Sequence, residues 1–78
     1  MPTFQFTSER TLLIRFPGGM NLSNHQRVRA AFETLLTWDA TLIRNLHPAY
    51  ASLLIEFDPN QIKRETFIEK VWAALMNS

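Results

Sequence analysis

Histidines and carboxylates are the first side chains to consider for catalysis or metal binding. His25 and His47 are the two histidines, and neither has a carboxylate at helical or strand spacing that would form a metal site or a proton relay. Cysteine is absent, which excludes thiolate ligands and a thiol nucleophile. Both histidines are therefore expected to be ordinary surface residues, and no metal site is predicted.

The acidic residues and the glycines likewise form no recognisable catalytic motif. Glu65 and Glu69 lie one helical turn apart, but basic residues surround them, which is typical of a solvated helix face and not of an acid–base pair. Asp58 precedes Pro59 and is expected to form a turn. Residues 17–19, Pro-Gly-Gly, lack the Lys-Ser/Thr that follows in a phosphate-binding loop. We therefore predict a non-catalytic chain that holds no cofactor.

Length and composition indicate one small packed domain, residues 1–78. Of the 78 residues, 46% are hydrophobic and 12% aromatic, which is typical of a globular unit. A chain of this size buries only about 60% of its unfolded surface, so an interface with a partner or in a homodimer would add stability. The net charge of +1 provides no strong field for a nucleic acid or membrane surface. No signal peptide or membrane span is recognisable, and a cytoplasmic location is expected.

Four strands are predicted from alternating and apolar segments. Residues 3–7 alternate polar and apolar side chains and should pair as a hairpin with residues 11–16. The segment Ser-Leu-Leu-Ile-Glu-Phe at residues 52–57 echoes Thr-Leu-Leu-Ile-Arg-Phe at residues 11–16. Residues 41–46 form the weakest strand pattern. Within each echo segment, alternate residues should face the core: Leu12, Ile14, Phe16, Leu53, Ile55 and Phe57.

Two amphipathic helices complete the pattern. The first is predicted to begin at a capping box formed by Ser23 and Gln26 and to end near residues 38–40. Its expected core stripe is Val28, Ala31, Phe32, Leu35 and Leu36. The second follows Lys63, a poor N-cap, with Ile62 placed to pack on Phe67. Its expected apolar set is Phe67, Ile68, Val71, Trp72 and Leu75.

The element order β-β-α-β-β-α predicts an α+β, two-layer sandwich. A right-handed crossover through the first helix places the third strand beyond the fourth, at residues 52–57. We expect a four-stranded mixed sheet of order 1-2-4-3, a circularly permuted ferredoxin-like fold, with the two Leu-Leu-Ile strands parallel at its centre. Both helices should cover one face of the sheet.

The uncovered face is the predicted protein-binding surface. It should place Leu13 beside Leu54 and Arg15 beside Glu56, and contiguous apolar surface often marks a contact. Scattered exposed apolar residues are also ordinary, and an exposed Arg–Glu pair contributes at most about 1 kcal/mol. Nucleic acid is disfavoured because the expected residues are aliphatic or charged, without aromatic side chains for base stacking.

A second candidate surface is the turn that leads into the fourth strand. It contains His47, Pro48 and Tyr50. Tyr50 could instead lie at the edge of the core with its hydroxyl in water. His47, Pro48 and Tyr50 are candidates for partner binding, together with Leu13, Arg15, Leu54 and Glu56.

Residues 8–16, SERTLLIRF, and 48–59, PAYASLLIEFDP, resemble the N-terminal domain of the KipI family. That family includes the B component of bacterial 5-oxoprolinase and allophanate hydrolase subunit 1, and it forms the carboxyltransferase domain, subdomain C group. The resemblance extends over nearly the whole chain. Ser8-Glu9 stands where the family usually has Gly-Asp, a departure in the first turn.

The resemblance implies a protein partner and no catalysis by this chain alone. Family members carry a C-terminal cyclophilin-like domain that this sequence lacks, and that domain contributes to the cleft shared with the partner subunit. Two functions are implied and stay open. One is docking on a sensor histidine kinase as an inhibitor. The other is a structural part of an ATP-dependent 5-oxoprolinase or allophanate hydrolase-like complex, in which the partner is a protein like the C component of 5-oxoprolinase.

Overall fold

The computed structural model describes residues 2–18 and 21–76 and contains the six predicted elements in the predicted order. They are β1 (Thr3–Ser8), β2 (Thr11–Arg15), α1 (Leu22–Leu36), β3 (Ile43–Pro48), β4 (Ser52–Phe57) and α2 (Arg64–Met76). The weakly patterned third strand lies two residues later than predicted. The turn expected over residues 17–19 is present at Pro17 and Gly18, and Gly19 lies outside the described residues.

The sheet has the predicted order β1-β2-β4-β3, but the predicted parallel pairing of the central strands is wrong. All three neighbouring pairs are antiparallel, so the sheet is not mixed. The crossover through α1 makes β3 parallel to β2, and a tight connection then reverses the chain into β4. Because β4 lies between β2 and β3, it runs antiparallel to both, as in a ferredoxin-like sheet.

The core forms between one face of the sheet and both helices, as predicted. The residues predicted to face the core from β2 and β4 are buried, and so is Phe16, which follows β2. All six share one cluster with side chains of α1 and α2. Leu12, Ile14, Leu53, Ile55 and Phe57 have no exposed surface. The helices contribute Val28, Ala31, Leu35, Phe67 and Val71. The α+β two-layer sandwich is therefore confirmed.

The start of α1 differs from the predicted Ser23 capping box. Asn21 is the N-cap, and its side-chain oxygen accepts a hydrogen bond from the Asn24 backbone N–H at 2.8 Å. The Asn21 amide also donates to the Gly18 carbonyl at 3.1 Å. Asn24 is buried and donates from Nδ2 to the carbonyl oxygens of Phe16 and Pro17. These bonds fix the start of the helix against the end of β2.

Two residues predicted for the core are exposed. Leu36, the last residue of α1, is 58% exposed, and Trp72 of α2 is 42% exposed. Leu36 lies at the helix end, where the chain turns away through Thr37 and Trp38. Trp72 packs against the ring of Phe4 with centroids 5.3 Å apart and leaves the rest of its ring in solvent.

Asp58 forms the predicted turn between β4 and α2. Its backbone N–H donates to Leu42, and its carbonyl accepts from Gln61 and Ile62. Ile62 is partly buried against the core cluster that contains Phe67, as the predicted packing at the start of α2 requires. The Phe67 N–H donates to the Lys63 carbonyl at 2.8 Å, which begins the helix after Lys63. No helix of the described residues is both long and apolar enough to cross a membrane.

Candidate functional site

The side of the sheet away from both helices forms a surface that we call the open face. Its central row crosses all four strands in the order Gln5, Leu13, Leu54 and His47, each opposite the next in the strand pairing. Leu13 and Leu54 are partly buried, whereas Gln5 and His47 are exposed. The two leucines thus form an apolar centre with a polar residue on either side, as the sequence predicted for Leu13 and Leu54.

Polar and charged side chains occupy the two ends of the open face. Arg15 lies opposite Ser52 at one end. Glu56 lies opposite Thr11 at the other and accepts a hydrogen bond from the Asn45 side-chain amide at 2.7 Å. The predicted neighbour pair of Arg15 and Glu56 is therefore wrong. Antiparallel pairing separates them by four residue positions, about 13 Å at 3.3 Å per residue.

A charged cluster borders the Glu56 end of the open face. Arg44 donates from Nη2 to Oδ2 of Asp58 at 3.0 Å, and the Asn60 backbone N–H donates to Oδ1 at 2.9 Å. The Asn60 hydrogen bond, supported by Arg44 and Arg10, lowers the pKa of the Asp58 carboxyl below its ordinary value although burial opposes the shift. Asp58 is therefore a fixed anion that orients the Arg44 guanidinium at the outer edge of β3.

The second predicted surface is divided between two sides of the molecule. His47 belongs to the open face, whereas Pro48 and Tyr50 line a groove of about 570 Å³ between α1 and the β3–β4 turn. Tyr50 is 42% exposed, and its ring stacks on His25 with centroids 5.0 Å apart. Tyr50 is thus a half-exposed residue on the α1 side of the molecule, whereas His47 lies on the open face.

Within residues 2–18 and 21–76, no group of three or more histidine, cysteine, aspartate or glutamate side chains could hold a metal ion. Near the Glu56 end of the open face, the Thr11 hydroxyl hydrogen-bonds to the hydroxyls of Thr7 and Ser8, each at 2.7 Å. The Arg44–Asp58 pair is likewise engaged in the turn. The open face thus combines an apolar centre at Leu13 and Leu54 with a hydrogen-bonded polar border.

The sequence did not predict a place on these surfaces for several of their residues. Gln5 extends the open face onto β1, and the alternation of residues 3–7 was the available signal. Arg29, Phe32 and Leu36 form the α1 wall of the groove. For Leu36, the helical periodicity pointed to the core and gave no signal of exposure. The same periodicity predicts a core position for Trp72, which is 42% exposed.

Comparisons with solved structures agree with this fold. A conserved uncharacterized protein from Pyrococcus horikoshii superposes with a TM-score of 0.88 at 20% identity, over 96% of this chain and 35% of that one. Kluyveromyces lactis urea carboxylase superposes with a TM-score of 0.88 at 18% identity, over 97% of this chain and 7% of that one. This chain thus spans about a third of the first protein and less than a tenth of the second.

No curated protein sequence gives a significant match. The family model for the carboxyltransferase domain, subdomain C and D, in contrast, matches residues 2–78, which is nearly the full length of the chain. This match covers both strand motifs, the two helices and the whole open face. The chain therefore belongs to the carboxyltransferase domain, subdomain C and D, family.

Proposed function

We propose that the chain is a non-catalytic protein-binding domain that docks on its partner through the open face. The observation that carries this proposal is the pairing of Leu13 with Leu54 at the centre of a sheet surface that neither helix covers. Apolar side chains at the middle of a contact contribute most when a partner excludes water from them. The polar ends of the face would then form the rim of the contact.

The composition of the open face supports a protein partner over a nucleic acid. Its side chains are Thr3, Gln5, Thr7, Thr11, Leu13, Arg15, Asn45, His47, Ser52, Leu54 and Glu56. None is a phenylalanine, tyrosine or tryptophan, the side chains on which four-stranded RNA-binding sheets stack bases. Arg15 is the one arginine among them, which gives little basis for contacts with a phosphate backbone.

Two classes of protein partner are proposed. Docking on a sensor histidine kinase is one, and it rests on the KipI-like strand motifs. The other is a structural role in an enzyme assembly, through a protein like the C component of 5-oxoprolinase. The carboxyltransferase-domain match favours the second, as does the fold shared with a segment of a urea carboxylase. For either partner we propose that the domain acts in the cytoplasm.

Binding and activity measurements with purified proteins distinguish the two partners. Isothermal titration calorimetry of the chain against the host's counterpart of the 5-oxoprolinase C component should give saturable binding if the domain belongs to an enzyme assembly. Inhibition of histidine-kinase autophosphorylation by the chain would instead assign the kinase as partner. Binding to neither protein contradicts both assignments, and ATP-dependent turnover of 5-oxoproline by this chain alone would contradict the non-catalytic role.

A further inference from the structure

The outer edge of β1 is an unprotected strand edge. Strands β1 and β3 are the two outer strands of the sheet. The six residues of β1, Thr-Phe-Gln-Phe-Thr-Ser, include no charged residue and no proline. An outer strand presents unpaired backbone N–H and C=O groups, and such an edge readily accepts another strand.

The opposite edge, formed by β3, is protected in the usual ways. It contains the charged Arg44 and ends at Pro48, and its pairing with β4 shifts register between Ile43 and Asn45. Charges, proline and bulges on an edge strand all discourage pairing with another chain. In β1 the register shift lies between Phe6 and Ser8, so the pairing with β2 is regular over residues 3–6 and the irregularity falls at Thr7. The two edges of this sheet therefore differ in their capacity to accept a strand.

Side chains of α2 that contact β1 offer a largely apolar surface beside this edge. Trp72 is 42% exposed and packs against Phe4 at 5.3 Å. These two side chains, with Pro2, Ile68 and Glu69, line a concavity of about 450 Å³. A strand paired with β1 would place alternate side chains over this concavity, because side chains alternate between the two faces of a sheet. The exposed Trp72 ring would then become part of a continued core.

We propose that this edge pairs with β1 of a second copy of the chain, antiparallel about a two-fold axis at Gln5. Residues 3–7 read Thr-Phe-Gln-Phe-Thr, which is the same in both directions. Self-pairing about Gln5 therefore places Thr3 opposite Thr7 and Phe4 opposite Phe6, with every phenylalanine on the helix side. A shift by one residue would put phenylalanine opposite threonine or glutamine on the wrong face, and a shift by two residues would put threonine opposite glutamine, so this is the register in which all five residues meet their own kind.

The surroundings of the two phenylalanines also match across the proposed axis. The Arg64 guanidinium lies over the Phe6 ring, 5.1 Å from its centroid. Pairing of Phe6 with Phe4 of the second copy would bring Arg64 beside that copy's Trp72, because each packs on one ring of the phenylalanine pair. A guanidinium beside an indole ring is a favourable cation–π arrangement. Since a two-fold axis repeats every contact, the contact between Arg64 and Trp72 of the other copy would form at both ends of the interface, as in other isologous dimers.

Engineered cysteines test the register directly, because the chain contains no cysteine of its own. Under mild oxidation, Gln5→Cys should form a disulfide-linked dimer on non-reducing gels, since paired strands place opposite Cα atoms within disulfide range. Thr3→Cys and Thr7→Cys should each stay monomeric alone and crosslink when mixed. Crosslinking of Thr3→Cys with itself, or failure of Gln5→Cys to crosslink, contradicts the proposed axis.

Charge exchange at the axis provides a reversible test by sedimentation velocity. Gln5→Lys and Gln5→Glu should each raise the dimer dissociation constant up to about fivefold, because each places like charges opposite one another, whereas their mixture should restore dimers. A chain that stays monomeric at millimolar concentration contradicts the proposal. Leu54→Asp should leave the Gln5→Cys crosslink intact, so loss of partner binding through the open face and loss of the β1 interface are distinguishable.

Discussion

Leu13 of β2 lies directly opposite Leu54 of β4, on the side of the sheet away from both helices. Each leucine lies between two core residues of its own strand, and those four residues are fully buried. The same alternation that fills the core therefore places one leucine from each central strand on the open face. This relationship underlies the proposed partner contact.

Adjacent leucines in β4 provide a matched test of the two faces. Leu53 has no exposed surface and belongs to the core, whereas Leu54 lies on the open face. Leu53→Ala should lower the free energy of unfolding by about 2–5 kcal/mol, the usual cost of truncating a buried leucine. Leu54→Ala should cost less than about 1.5 kcal/mol, because its side chain is already partly in water. Urea denaturation measures both, and equal losses would contradict the assignment of faces.

A second prediction concerns the start of α1. Asn21→Ala removes the side-chain acceptor of the Asn24 N–H and should lower the free energy of unfolding by about 1 kcal/mol. Ser23→Ala is the control, since Ser23 is exposed and lies inside the helix. Its cost should stay within about 0.5 kcal/mol. A larger loss for Ser23→Ala than for Asn21→Ala, measured by chemical denaturation, would restore the capping box predicted from sequence.

The lowered pKa of Asp58 predicts acid sensitivity. Its carboxylate accepts from the Asn60 N–H and from Arg44, so the folded state holds it ionised more strongly than the unfolded chain does. The resulting stability is present above the unfolded pKa of about 4 and is lost as the pH falls through the lower folded pKa. Melting temperatures measured from neutral pH down to pH about 2 should therefore fall below pH about 4.

Two variants test whether Asp58 causes this fall in melting temperature at acidic pH, which we call the acid limb. Asp58→Asn carries no carboxylate and should flatten the fall in melting temperature. Arg44→Gln removes the ion pair but keeps the Asn60 hydrogen bond, so it should reduce the fall without abolishing it. An acid limb of unchanged size in Asp58→Asn would show that other carboxyls produce it.

The strand order, the core face and the single covered side followed from sequence because hydrophobic alternation and connection rules determine them. The relative direction of the two central strands, in contrast, was predicted wrongly. The likeness of residues 11–16 to residues 52–57 suggested matching directions, but similar side-chain patterns suit either direction. The short connection from Pro48 to Ser52 is the stronger signal, because strands joined so tightly form an antiparallel hairpin.

The error in direction affected the predicted site unevenly. Reversing one strand about its middle leaves the middle residue in place and exchanges the ends. Leu13 and Leu54 are near the middle of their strands and stay opposite each other, whereas Arg15 and Glu56 move to opposite ends. The apolar centre of the open face could therefore be predicted from sequence, and its charged rim could not.

Helix boundaries and exposure at the edges were also beyond the sequence patterns. Helical periodicity identifies the apolar side of α1 and α2, but it does not show how far the sheet extends beneath each helix. Leu36 is the last residue of α1 and is 58% exposed, and Trp72 contacts Phe4 of the outer strand while 42% of it stays exposed. The N-cap was missed because Asn21 and Ser23 are both favourable capping residues two positions apart.

The most direct test of the central claim is the affinity of the partner for Leu13→Asp and Leu54→Asp, with Leu36→Asp as the matched control. All three exchange a leucine for aspartate, but Leu36 is 58% exposed on α1 and lies outside the open face. The two open-face variants should weaken binding at least about 30-fold, as for a contact of about 2 kcal/mol or more, with the circular-dichroism spectrum unchanged. Leu36→Asp should bind as the parent chain does. Unimpaired binding by the open-face variants would contradict the proposed docking surface.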